Sequence, residues 1–432
     1  MNSILQLKGR FEQRSNRSRP GSPKLPKGKS VSASHLRELE KQLERILVYW
    51  TENKDIRGAL VSVHYKHIVA KSNRLKILLS ENGKSPTESI RGAKFVWEPD
   101  QKGNEVQKHV FTHFVSLQAI EKSIDVLKKT ASIIEQYYKG SVPSEVIEEL
   151  GEKYHFNEVP KTSFLKTVVD GFYVERFDID RATEEITEEA IITIYQTGVD
   201  TKRLLSKFGI DIVDDRIIDG TTLRLNPDEV KLLYNNASYL IAMGVTDFSE
   251  ISRDDVLDAY EDMEEDAGLL IPHPQNEPVI GVIDTQFNEK VYFHEWVEYK
   301  NLLDPNIPLS RKDYEHGTAV SYIIVDGPQG NPELADGCGR FRVRHFGVAT
   351  NNGFSSFTVL KMIRNIVASN RDIKVWNLSL GSKLEIKPNF ISPEAAELDR
   401  IQSEYDVIFV VAGTNIPAGV TKKNMRIGSP AD

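Results

Sequence analysis

The sequence predicts an α/β fold in its C-terminal part, a parallel sheet with helices on both faces, preceded by two α+β units. Three observations carry this. From Pro278 onward, apolar strand-like runs alternate with helical segments of ten to fifteen residues, the pattern of βαβ units. The run Val279-Ile280-Gly281-Val282-Ile283 is continuously apolar, as in parallel strands buried on both faces. Before Pro278, strand-like alternation is instead grouped with long amphipathic helices.

Taken in order, residues 1–33 are basic and rich in Ser, Pro and Gly, with too few apolar side chains to offset ordering, and are expected as a flexible tail. Leu36, Leu39, Leu43 and Ile46 then fall on one helix face. Residues 59–65, 93–97 and 109–116 read as strands, and 117–138 as a long helix, giving an α+β domain over 34–150. A second α+β domain is expected over 151–270. It has strands at 190–195, 210–214, 221–225 and 240–245 and helices at 201–208 and 226–236, in the βαββαβ order of a ferredoxin-like unit. Asn226-Pro227-Asp228-Glu229 is a helix start, with proline in the first turn and acids near the positive helix end. An acidic linker closes this domain: ten Asp or Glu lie between Asp247 and Asp266, against one basic residue, Arg253. Pro272 and Pro274 mark the boundary to a last domain over 271–432.

Composition narrows the function classes. A chain of 432 residues exceeds one ordinary core. A net charge of −8 makes nucleic acid an unlikely partner. The single cysteine, Cys338, excludes an intrachain disulfide and a thiolate zinc cluster. No apolar run is long enough for a membrane helix, and residues 1–13 lack a secretory pattern, so a cytoplasmic protein is expected.

The last domain carries the chemistry. Its strands are expected at 279–283, 341–348, 373–378 and 407–411, with helices after His316, over 354–368 and over 393–405. In open parallel sheets the active site lies beyond the carboxyl ends of the strands. Asp284, Ser379-Leu380-Gly381 and Ala412-Gly413-Thr414-Asn415 all follow such ends, and His316 opens a helix. An aspartate after a strand is more often a turn residue than a catalyst, and His-Gly-Thr alone is commonplace. Their order and spacing give them weight together.

Val279-Ile280-Gly281-Val282-Ile283-Asp284-Thr285 and His316-Gly317-Thr318-Ala319-Val320 resemble the aspartate and histidine motifs of the subtilisin-like serine proteases. Asn377-Leu378-Ser379-Leu380-Gly381 and Ala412-Gly413-Thr414-Asn415 are similar to that family's substrate-lining strand and oxyanion-hole strand. The order Asp, His, Ser is the subtilisin order. The opening residues, with Ile4-Leu5-Gln6-Leu7-Lys8-Gly9-Arg10, resemble more loosely a bacterial intracellular subgroup with a long N-terminal extension.

The resemblance implies an incomplete subtilisin-like parallel sheet behind propeptide-like N-terminal domains. It implies Asp284 and His316 as catalytic residues, Asn415 in the oxyanion hole, and Ser379, Leu380, Gly381, Ala412 and Gly413 along bound polypeptide. An AAA-type ATPase is implied as a partner, and no cofactor is. Calcium is common in the family, but no acidic loop here has a spacing that names a site. No Gly-Thr-Ser-Met-Ala motif occurs, and Ser429 lies only fourteen residues past Asn415, so a truncated protease, inactive alone, is expected. The alternative is a non-catalytic binding or scaffold protein. Gln286 and Thr414 stand where the family usually has glycine.

Overall fold

The computed structural model describes residues 24–81, 84–99, 103–150, 154, 156–183, 189–246, 271–335, 337–350, 355–381 and 391–412. Its first part runs β1 (Ser30–Ser32), α1 (Ala33–Glu52), β2 (Ala59–Tyr65), β3 (Ile90–Pro99), β4 (Glu105–Val115), α2 (Leu117–Tyr137), β5 (Ser141–Pro143), α3 (Ser144–Glu149), α4 (Lys161–Tyr173) and β6 (Val174–Asp178). Ser32 caps α1 by accepting the His35 N–H, and Ser116 caps α2 by accepting the Ala119 N–H. The Leu36, Leu39, Leu43 and Ile46 stripe of α1 is buried, as the spacing predicts, and α1 packs along α2.

The antiparallel sheet has the order β3-β4-β2-β6, so it recruits residues beyond the expected division at 150. The expected tail is held at its far end. Leu25 and Val31 are buried and β1 pairs with β5, because these two apolar side chains complete the core under α4.

A second sheet follows from β7 (Ala190–Ile194), α5 (Thr201–Ser206), β8 (Thr222–Leu225), α6 (Pro227–Ala237) and β9 (Ile241–Thr246), in the antiparallel order β8-β7-β9. The capping box at Asn226 and Glu229 forms as the sequence suggests. The strand expected at 210–214 does not form. The Ile210 N–H is spent on the Leu205 carbonyl at the end of α5, beside Gly209 in the left-handed region, and Asp214–Arg216 make a tight turn. Ile210 and Ile212 are buried, so the apolar alternation recorded burial of an irregular segment. Tyr195 and Tyr239 bind this sheet to the first: Thr112 donates to the Tyr195 hydroxyl at 3.2 Å, and Tyr239 packs edge-on to Trp50 at 5.1 Å. The acidic stretch from Asp247 lies outside the described residues.

The last part contains β10 (Val279–Asp284), β11 (Val297–Asn301), α7 (Lys312–Gly330), β12 (Arg342–Gly347), α8 (Ser356–Ser369), β13 (Val375–Leu378), α9 (Pro393–Tyr405) and β14 (Ile408–Val411). All five strands are parallel, in the order β11-β12-β10-β13-β14. The central β10 shows why its run is continuously apolar. Val282 enters a core with Phe293, Trp296 and Val325 of α7, whereas Ile283 enters another with Leu360 of α8, Trp376 and Ile401 of α9. Gly281, on the same face as Ile283, is required, since a Cβ there would lie 2.2 Å from the Trp376 ring. The mixed α/β plan with a parallel sheet is thus present. The sequence reading omitted β11, an edge strand whose side chains are mostly exposed. The helix that His316 was expected to open begins at Lys312, and it breaks at Asp326 ahead of Pro328.

Candidate active site

Asp284 ends β10 at the carboxyl edge of the parallel sheet and is fully buried. Its Oδ1 accepts from the Thr285 N–H at 2.7 Å and the Thr285 hydroxyl at 3.3 Å. His316 Nδ1 lies 2.5 Å from the same oxygen. A carboxylate only accepts, so Nδ1 carries a proton, and in the neutral ring Nε2 keeps its lone pair. Asp284 Oδ2 is buried without a hydrogen-bond partner among the described residues. Burial alone would raise the Asp284 carboxyl. The hydrogen bond and charge of His316, with His345 and the Thr285 N–H, outweigh it and hold the group below its ordinary value.

Local sequence explains how α7 is aimed. The Gln286 N–H donates to the Asp313 carbonyl at 2.9 Å, and the Gly317 N–H to the Thr285 hydroxyl at 3.0 Å. The Asn288 N–H donates to the Thr318 hydroxyl at 2.9 Å. Asp313 is itself fixed, its carboxylate accepting the N–H and hydroxyl of Ser310. Gly317 admits no side chain: a Cβ would sit 2.6 Å from the carbonyls of Thr285 and Gln286 and 2.8 Å from the His345 ring. Each residue of His316-Gly317-Thr318 therefore serves one geometry. The imidazole meets Asp284, the glycine allows close approach, and the threonine ties the helix to the loop after β10.

Gln286, the departure from the glycine pattern, is fully buried. Its amide donates to the Ala349 carbonyl at 2.9 Å, and its carbonyl oxygen accepts the Tyr299 hydroxyl at 2.6 Å. The space comes from Gly347, where a Cβ would clash with the Gln286 amide. The larger residue is thus accommodated by a glycine in β12 and a tyrosine from β11.

Ser379, Leu380 and Gly381 follow β13, whose Leu378 pairs with Ile283, so they lie beside Asp284 on the same sheet edge. The Ser379 hydroxyl donates to Asn377 at 2.8 Å, and Leu380 is buried in the core. Ala412 leaves β14 on that edge, its N–H donating to the Leu378 carbonyl at 3.3 Å. Gly413, Asn415 and Ser429 lie outside the described residues. No group of three His, Cys, Asp or Glu suited to a metal occurs among the described residues, and no described helix is long and apolar enough to cross a membrane.

Sequence reasoning missed Tyr299 and His345. Ser321 is fully buried and bonded to His345 Nδ1 at 2.9 Å. The only signal would have been a histidine inside an otherwise strand-like run.

An imidazole oriented and charge-compensated by a buried carboxylate is a general base for a hydroxyl nucleophile. A search of curated proteins gave no match. Residues 275–432 match the family model described as the Subtilase family. That match supports placing the part of the chain that holds Asp284 and His316 in the subtilase family of serine peptidases.

Proposed function

We propose that this protein is a serine endopeptidase of the subtilisin type, in which Asp284 and His316 serve a serine nucleophile. The observation that carries the proposal is the 2.5 Å His316–Asp284 bond at the carboxyl edge of a parallel sheet, inside the segment that matches the family. In this reading His316 Nε2 takes the serine proton and returns it to the leaving amine. Asp284 holds the Nδ1–H tautomer and stabilises the imidazolium. Asn415 donates to the tetrahedral oxyanion. The backbone of Ser379, Leu380 and Gly381, with Ala412 and Gly413, pairs with extended polypeptide. No residue of the sequence is assigned as nucleophile, because no Gly-Thr-Ser-Met-Ala motif is present.

The N-terminal units are proposed to restrain or chaperone the C-terminal domain. Supporting this, Asp219 pairs with Arg400 of α9, and Lys361 of α8 donates to the Asp215 carbonyl at 2.8 Å. Ile218, between them, packs against the core beneath those helices.

A reading frame that supplies a serine motif after this sequence provides the test. Such a protein should label with a fluorophosphonate probe, and His316→Ala should abolish labelling. A folded protein of that kind that takes no label would overturn the peptidase reading and leave the scaffold alternative.

A further inference from the structure

We propose that His345, backed by Ser321, is a positioning residue that fixes the Asp284–His316 pair through Thr285. The reading of its consequence for turnover rests on the proposed peptidase function; the geometry does not. His345 lies in β12, next to β10, and is fully buried. Its Nε2 is 2.8 Å from the Thr285 carbonyl and its Nδ1 is 2.9 Å from the Ser321 hydroxyl. A carbonyl only accepts, so Nε2 carries a proton, and in the neutral ring Nδ1 accepts from the Ser321 hydroxyl. Both ring nitrogens are thereby committed in one tautomer.

The chain of bonds continues without a gap. Thr285, held at its carbonyl by His345, gives its N–H and hydroxyl to Asp284 Oδ1 and receives the Gly317 N–H. Asp284 Oδ1 then meets His316. An apolar residue at 345 could fill the same space, but it would leave the Thr285 carbonyl buried without this donor. The ring is clamped as well: Phe287 and Tyr299 each lie 5.7 Å from it, and its Cε1 fills the space that a side chain at Gly317 would need. The titratable groups facing it are Asp284 from β10, His316 from α7 and Tyr299 from β11. Burial pushes the His345 ring downward, and His316 adds to this, while the Thr285 bond and Asp284 oppose it. That direction favours the neutral ring, which donates to the Thr285 carbonyl and accepts from Ser321.

Proton NMR of the full chain tests the assignment without requiring hydrolysis. The downfield Nδ1–H signal of His316, assigned by its absence in His316→Ala, should be present in the unaltered protein. It should be lost in His345→Phe and retained in His345→Gln, whose amide can still donate to the Thr285 carbonyl. Ser321→Ala, which releases the tautomer but keeps the ring, should weaken it. A folded His345→Phe protein with an unchanged signal would overturn the proposal. If that variant does not fold, an unchanged signal in Ser321→Ala overturns it instead. In a protein that also carries the serine, His345→Phe should lower kcat roughly tenfold with KM unchanged. Absence of hydrolysis with the NMR contrast intact would reject the peptidase reading alone.

Discussion

Among the described residues two largely buried histidine–aspartate pairs occur, and their difference shows what makes such a pair chemical rather than structural. In the first sheet His64 Nε2 lies 2.9 Å from Asp180 Oδ1, and Lys94 neutralises the other oxygen at 2.8 Å. The His64 side chain is 5% exposed, and its Nδ1 is buried without a hydrogen-bond partner among the described residues. In the parallel sheet His316 meets Asp284 at 2.5 Å, Asp284 Oδ2 has no hydrogen-bond partner among the described residues, and the His316 side chain is 16% exposed. The residue types are the same. One pair packs on an antiparallel sheet beside its own counter-charge, with its spare ring nitrogen buried; the other sits at a sheet edge with its imidazole partly exposed. Position, not composition, separates them.

The largest expected effect attacks that contrast directly. In a protein supplied with the serine, Asp284→Asn should lower turnover by roughly 10⁴-fold, because the wrong tautomer is then held at His316. Asp180→Asn should leave turnover within about twofold, since its described bonds are to His64 and Lys94 of the first sheet. Steady-state hydrolysis of a chromogenic peptide measures both. Equal losses would erase the distinction.

Stability should show the reverse order. Asp180→Ala removes the partner of both His64 and Lys94, a cost of about 2 kcal/mol for this mostly buried group. Asp284→Asn keeps shape and hydrogen-bonding capacity and should change unfolding free energy by less than about 1 kcal/mol. Urea unfolding followed by tryptophan fluorescence separates the two.

The same contrast governs what was legible from the sequence. The strand β10, the helices α8 and α9 and the Asp284 and His316 positions were readable, because a two-faced apolar run and strand-end polar residues are local signals. The edge strand β11 was not, since Val297–Asn301 is mostly exposed and its alternation runs over only five residues. The first sheet's β6 was missed for another reason: its membership depends on pairing with β2, more than a hundred residues earlier. Around the site, His345 and Tyr299 act through neighbours brought together only by parallel pairing of β10, β11 and β12. The Ile210 and Ile212 alternation misled because burial and ladder formation leave the same trace.

Acid should act on the first region in a defined window. The hydrogen bond from Arg176, against a smaller effect of burial, takes Glu98 from an ordinary 4.5 to about 2. Burial would raise Asp180, but His64 and Lys94 outweigh it and hold that carboxyl well below its usual range. Folded-state values below the unfolded ones mean stability present above about pH 4.5 and lost as pH falls toward 2. Urea midpoints should therefore drop between pH 5 and pH 3, with a shallower drop in Glu98→Gln. An unchanged slope would show that the Arg176 pair does not favour the folded state.

The smallest expected effect concerns the contact between the two regions. Asp219 is nearly buried, but the Arg400 side chain is 46% exposed, and Lys361 faces an Asp215 side chain that is 97% exposed. Pairs so open to water are worth roughly 0.5 kcal/mol each and weaken with salt. Arg400→Ala should therefore leave both sheets folded while making the 214–219 turn more accessible to protease, by about two- to threefold at low salt. Raising the salt should produce the same change in the unaltered protein. Ile218, packed on the core beneath α8 and α9, is insensitive to salt, so Ile218→Ala should open the contact under both conditions. If only Ile218→Ala has an effect, the docking of the N-terminal units is apolar, and the charges there merely set its register.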